Sequence, residues 1–340
     1  MKIFLLALAC LAVLASRALC DYVQDGDAKY SKGDYNGAIS DYTKAISLKP
    51  DNATAYNNRA AAKHDKGDLD GAIEDCNKAI ELIPDYANAF GNRGNTKLAK
   101  GNTEGAIADF TKAIELQPGD GKSYYNRGSA KYDKGDLDGA LADYTEAIVL
   151  RPNDASTYFN RGCAKRLKGD MDGALADYNQ TIRIKPDHVE AYINRSIVRE
   201  SKGDLDEALA DCTKAIELKP DNEDAFYIRG HVKNAKGDWN GAVADFTIAI
   251  RLNPKDAFAY YNRSRAEKAK GDFDGAIADY TKVIELTPDS VSAYYNRANA
   301  KKAKGDYKGA LADYSKALEL KPDDVQCLTN IMEMKKLADK

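Results

Sequence analysis

The chain has 340 residues and a formal net charge of −3, with 50 basic against 53 acidic side chains. Such a balance leaves no basic footprint for nucleic acid. At its start, Lys2 precedes an apolar run from Ile3 to Ala15, which fits the hydrophobic region of an export signal and is short for a bilayer span. Small residues suit cleavage after Ala18 or after Cys20, so residues 1–20 are expected to be a signal peptide. The mature chain is then expected to be secreted or periplasmic, with no stable membrane insertion. Arg17, beyond the apolar run, is a mild irregularity. Lipid attachment is the weaker alternative, because Leu19 precedes Cys20 where a small residue is wanted and Cys10 would leave an apolar stub.

From about Asp21 the chain is periodic. All 9 prolines, from Pro50, Pro84 and Pro118 to Pro322, stand on one 34-residue grid. A glycine recurs 17 residues before each proline and an alanine five after that glycine, as in Gly135, Ala140 and Pro152. A fixed period of this size signals stacked supersecondary units, each touching mainly its neighbours. The markers divide every unit into two helices, for example Tyr124 to Lys131 and Gly139 to Leu150. In the second, Ala140, Leu141, Tyr144, Ala147 and Ile148 fall largely at helical spacings. Gly135 suits the left-handed residue that closes the first helix, and Asp136 suits the cap of the second. Pro152 stops the second helix, after which Asn153 or Asp154 can cap the next unit.

At these residues the chain resembles the tetratricopeptide repeat family, a 34-residue helix–turn–helix pattern. Tyr56, Ala60, Ala72, Cys76, Ala79 and Pro84 carry the pattern in one unit, and Tyr158, Gly162, Ala174, Tyr178, Thr181 and Pro186 in another. The resemblance implies an all-α, right-handed superhelical solenoid of nine repeats: 21–52, 53–86, 87–120, 121–154, 155–188, 189–222, 223–256, 257–290 and 291–324. A capping helix is expected over 325–340, with an apolar stripe of Val325, Leu328, Ile331, Met332 and Leu337. Gly94, Gly128, Gly162 and Gly230 share their place with Ala60, Ser196, Ser264 and Ala298, so a close helix crossing is expected there.

Candidate chemistry is sparse. Cys76 and Cys212 stand where other units carry Tyr144, Tyr178 or Phe110, so they read as core residues. With Cys163 and Cys327 several repeats away, free thiols are expected rather than a disulfide framework. His64, His188 and His231 match no ligand spacing, so neither metal nor cofactor is expected. Of the Asn-x-Ser/Thr sites, those at Asn179, Asn194 and Asn262 fall within helices, and only Asn52 lies at a turn. No phosphate loop or nucleophile motif occurs, which argues against an enzyme.

Two polar series remain. One sets Arg59, Arg93, Arg127, Arg161 and their successors against Asp41, Asp75, Asp109, Asp143 and theirs. Arg suits bidentate carboxylate pairing, so a structural bridge is expected along the stack. Asp25 stands in the arginine place of the first repeat. It would repel Asp41 within one unit, so the expected register is Asp41 with Arg59, Asp75 with Arg93, and so on. The other series is Asn58, Asn92, Asn126, Asn160, Asn194, Asn262 and Asn296, broken by Ile228. The resemblance places first helices on the concave wall, where an amide's donor and acceptor can bond a peptide backbone. The alternative is that these amides are tolerated polar residues at a helix seam. Beside them run Tyr125, Phe159, Ile193, Tyr227, Tyr261 and Tyr295, of a type enriched at interfaces. Asn57 and Gly91 hold that place earlier, so affinity is expected in the C-terminal two-thirds. The family's carboxylate clamp is not expected: Asn95 and Asn126 supply two elements, but Gly91, Ser156 and Asn160 stand where basic residues are needed.

The resemblance therefore implies a non-enzymatic scaffold for proteins or peptides. Capture of another ligand, such as cell-surface carbohydrate stacking on the tyrosines, is the alternative. Replacing Ala140 by Leu should overpack the helix crossing and cost about 1–3 kcal/mol, read as a lower urea midpoint; an unchanged midpoint would remove the packing argument.

Overall fold

The computed structural model describes Leu19 and residues 21–338, so the expected leader lies, apart from Leu19, outside the described residues. The described residues are helix and turn throughout, without a strand. The first four repeats pair α1 (residues 21–31) with α2 (Tyr35–Leu48), α3 (Ala53–Lys66) with α4 (Leu69–Leu82), α5 (Ala87–Ala99) with α6 (Thr103–Leu116), and α7 (Gly121–Asp133) with α8 (Leu137–Leu150). The next three pair α9 (Ala155–Leu167) with α10 (Met171–Ile184), α11 (Val189–Lys202) with α12 (Leu205–Leu218), and α13 (Glu223–Ala235) with α14 (Trp239–Leu252). The last two pair α15 (Ala257–Ala269) with α16 (Phe273–Leu286) and α17 (Val291–Ala303) with α18 (Tyr307–Leu320), before α19 (Val325–Ala338). Two compact units divide within α10, one ending at Asp177 and the other beginning at Tyr178. In the first unit α3, α5, α7 and α9 touch in succession, and in the second α11, α13 and α15 do.

Local chemistry sets these boundaries. Gly135 takes φ +85°, a conformation other residues rarely adopt, and so turns the chain out of α7. Asp136 then accepts a 3.0 Å hydrogen bond from the Gly139 amide and caps α8. Gly139 is required sterically as well, since a Cβ there would run into the Asp136 carboxyl. Repeat 6 supplies the contrast: it carries Glu207 in the glycine place, and its Asp204 makes no side-chain cap.

The small residue of each first helix meets the core residue of its own second helix. A Cβ on Gly128 would stand 3.0 Å from the Tyr144 ring, and one on Gly94 would stand 2.8 Å from Phe110. Where the second helix carries the smaller Cys76 or Cys212, the opposing residue is Ala60 or Ser196. The Cys212 thiol donates to the Ser196 hydroxyl at 3.2 Å. The compensation is incomplete, because Ala298 packs with the full-sized Tyr314.

The arginines do not follow the expected register. Arg59 grips Asp75 of its own repeat through Nε and Nη2 at 2.8 and 2.7 Å. Arg93 grips Asp109 at 2.9 and 2.7 Å, Arg127 grips Asp143 at 2.9 and 2.7 Å, and Arg161 grips Asp177 at 2.9 and 2.8 Å. Asp41, deprived of an arginine by Asp25, is held by Lys29 and Lys44 instead. The link to the preceding repeat does exist, but through a neutral acceptor: Arg93 Nη1 donates to Asn77 at 2.7 Å and Arg127 Nη1 to Thr111 at 3.1 Å. Each guanidinium also lies over the ring three residues before it, as Arg93 does over Phe90 at 5.2 Å.

The capping helix also turns a different face. Cys327 and Met334 are buried, Met334 against Ala298 and Tyr314, whereas Val325 and Met332 are exposed. Cys327, Ile331 and Met334 form the seam because α19 occupies the place of a tenth first helix. Of the expected stripe, Ile331 and Leu337 pack in this seam, while Val325, Leu328 and Met332 are exposed.

Arg93→Leu should destabilise the chain by about 1–3 kcal/mol through lost charge-assisted hydrogen bonds. This is less than the loss expected for a fully orphaned buried charge, because Lys97 still reaches Asp109 at 2.7 Å. A urea midpoint equal to the parent's would contradict the assignment.

Candidate functional site

Within each unit the first helices carry both candidate rows, and the structure joins them to each other. Asn160 Nδ2 donates to the Tyr125 hydroxyl of the preceding repeat at 3.0 Å. The same bond links Asn262 to Tyr227 at 2.9 Å and Asn296 to Tyr261 at 3.0 Å. At the last seam Asn330, a member that sequence reading missed, donates to Tyr295 at 3.4 Å. The tyrosine rings are wedged against the core aromatic of their own repeat, Tyr261 on Tyr280 at 5.7 Å and Tyr295 on Tyr314 at 5.6 Å. Burial raises the Tyr227 hydroxyl above its ordinary pKa of 10.0, with Asp256 adding to the effect.

Much of the amide capacity is therefore spent inside the fold. Asn262 and Asn296 give their second hydrogen to carbonyls of their own helices, Phe258 at 3.0 Å and Ser292 at 2.9 Å. Asn194 likewise donates to the Glu190 carbonyl at 2.9 Å. At the Tyr–Asn seams the amide nitrogen is the donor and the tyrosine oxygen the acceptor.

Without tyrosine the row is rebuilt differently. Asn92 donates to Asn57 at 2.9 Å, Asn57 to Asn58 at 3.2 Å, and Asn58 to Asp27 at 3.0 Å. Asn126 donates to Asn95 at 2.9 Å, which brings the two clamp-like asparagines together. Space opens here: a Cβ on Gly91 would have only Ser123 Oγ near it, at 4.0 Å. A cavity of about 240 Å³ lies between Asn57, Gly91, Asn95 and Asn126, and one of about 470 Å³ between Tyr30, His64, Asp65, Asn95 and Lys122. The roomier polar clefts thus lie in repeats 1–4, ahead of the tyrosine stripe that was expected to concentrate affinity. Within the stripe, Phe159 lines a cavity of about 260 Å³ with Tyr132 and Cys163.

In the second unit the face is of another kind. Ile193 is buried in an apolar cluster with Tyr192 and Ala225. His231 Nδ1 stands 2.6 Å from Glu200, whose hydrogen bond raises the imidazole above its usual range. Phe258 is 74% exposed and borders, with Tyr261 and Val283, an apolar hollow of about 330 Å³. Among the described residues no cluster of three or more His, Cys, Asp or Glu could hold a metal ion, and no helix is long and apolar enough to cross a membrane.

The helix pairs, small-residue crossings and capped turns are those of one family, and the chain belongs to it. Residues 26–67, 128–165 and 265–305 match the TPR repeat, and residues 53–86, 87–120, 159–223 and 291–324 match the tetratricopeptide repeat. Such proteins are generally protein-interaction scaffolds. DnaJ homolog subfamily C member 7 of Mus musculus is 49% identical over 47 residues, 14% of this chain, and its Homo sapiens counterpart is equally so. The chain spans only 10% of those relatives' length. The crystal structure of a tetratricopeptide repeat protein from Parabacteroides merdae aligns with a TM-score of 0.56 at 21% identity, covering 73% of this chain and 98% of that one. It shares the fold.

Tyr261→Phe keeps the ring but removes the acceptor for Asn296. It should cost about 0.5–1.5 kcal/mol, measured by urea unfolding, and a phenylalanine variant as stable as the parent would dismiss the seam bond.

Proposed function

We propose that this protein is a non-catalytic scaffold that holds extended peptide segments along the first helices of its units. The observation that carries this reading is the repeated Asn–Tyr pair on successive first helices, Asn160 with Tyr125, Asn262 with Tyr227 and Asn296 with Tyr261, which sets amide and hydroxyl groups in a regular row. An extended backbone offers N–H donors and C=O acceptors regardless of sequence. Asn58, Asn92, Asn126, Asn160, Asn194, Asn262 and Asn296 supply the polar row, and Tyr125, Phe159, Tyr227, Tyr261 and Tyr295 the aromatic one. The clefts around Asn57 and Gly91 take the bulkier side chains. Export belongs to the same proposal and rests on the apolar run at residues 3–15.

A second reading has one observation in its favour. The cavity of about 470 Å³ near Tyr30 and Asn95 is lined by the amides of Asn92 and Asn95, the hydroxyls of Tyr30 and Thr96 and the carboxylate of Asp65, groups that also suit sugar hydroxyls.

Chain 21–340 applied to peptide and glycan arrays separates the two. Peptide ligands are expected, with affinity reduced about tenfold or more, equivalent to about 1.4 kcal/mol, in Gly91→Tyr and in the triple variant Tyr227→Ala, Tyr261→Ala, Tyr295→Ala. Ligands restricted to glycans, or peptide affinities unmoved in both variants, would displace the peptide reading.

A further inference from the structure

Every repeat but one sets a cation four residues after the arginine place. Lys63, Lys97, Lys131 and Lys301 stand 2.7–2.9 Å from the second oxygen of their repeat's aspartate. Lys63 Nζ also donates to the Gly71 carbonyl at 3.3 Å. The place is built from acceptors and suits an ammonium.

Repeat 8 puts Glu267 there. The side chain has not swung out: Glu267 is only 9% exposed, and its Oε2 is buried without a hydrogen-bond partner. Its Oε1 is 3.9 Å from Arg263 Nε, which is committed to Asp279 at 2.7 Å. A Cβ on Gly275 would stand 2.9 Å from the Glu267 carboxyl carbon and 3.0 Å from an Asp272 oxygen. Asp279 and Asp272 oppose ionisation of Glu267, while Arg263 and Lys270 favour it. The buried Tyr280 hydroxyl beside them also lacks a partner. The corresponding cations of the flanking repeats are taken, Lys233 by Asp245 and both Arg297 and Lys301 by Asp313.

We propose that Glu267 makes repeat 8 a proton-operated joint. Protonated, its carboxyl holds a donor among acceptors and closes α15 on α16. Ionised, it leaves two buried carboxylates to share one guanidinium, and the pair loosens. In a stack of nearest-neighbour contacts such loosening stays local. Burial, then Asp279, pushes the carboxyl from the ordinary 4.5 up to about 7. A raised acid pKa means that the folded chain binds the proton more tightly than the unfolded one. The stability it contributes is full below about 4.5, falls as pH rises to about 7, and is absent above.

Urea midpoints of the parent chain, Glu267→Gln and Glu267→Lys between about pH 5 and 8.5 test this. The parent's midpoint should fall relative to Glu267→Gln up to about pH 7 and then run parallel. Glu267→Lys, with the ammonium restored, should lack that decline. Carbon-13 NMR of the parent should show the Glu267 carboxyl titrating well above the exposed glutamates, with faster amide exchange across α15 and α16 at the higher pH. Parallel curves for parent and Gln variant, or a carboxyl midpoint among the exposed glutamates, would overturn the proposal. Should a variant fail to fold, the parent's carboxyl titration decides alone.

Discussion

The arginine node is the constraint around which the rest is arranged. One guanidinium forks onto the aspartate of the second helix, reaches a Thr or Asn of the preceding repeat, and lies on the aromatic ring one turn back. Arg229 shows all three, with Asp245 at 2.8 Å, Thr213 at 3.5 Å and the Phe226 ring at 5.5 Å. Only a planar group with five donors can meet three partners at once. Burying such a pair gains little net energy, because desolvation offsets most of the Coulomb attraction. Its value is directional, since a slip of either helix leaves a buried carboxylate unpaired.

That frame leaves the place beside the asparagine row free to vary. The same place holds Asn57, Gly91, Tyr125, Ile193 and Tyr261 in different repeats, and the surface changes from polar cleft to aromatic seam to apolar core accordingly. The asparagine beside it plays two parts. Its nitrogen ties neighbouring repeats together where tyrosine is present and also reaches a carbonyl of its own helix, as at Asn262 and Asn296. The face therefore changes character from repeat to repeat on an invariant scaffold.

Repeat 8 departs from the frame itself. Its arginine, aspartate and capped turn are kept, but the second cation is replaced by a buried acid. The substitution is visible in the sequence once the repeats are aligned, at the place shared by Lys233, Glu267 and Lys301. Its meaning is not. Whether a glutamate there bends into solvent or stays beside Asp279 depends on how tightly α15 packs on α16.

The amino-acid sequence by itself determined the helix pairs, their caps and the family. Each of these rests on residues a few places apart, such as Gly135 with Asp136 and Gly139, whose conformations are settled locally. The arginine register was not legible, because Arg59 lies 18 residues from Asp41 and 16 from Asp75, and both separations fit a pair of stacked helices. The crossing of the two helices within one repeat chose between them. Likewise the sequence shows that Asn296 and Tyr261 recur, but only side-by-side packing of α15 and α17 decided that the amide nitrogen donates to the tyrosine hydroxyl. Contacts between helices depend on where two independent surfaces come to rest, and no local rule along the chain contains that information.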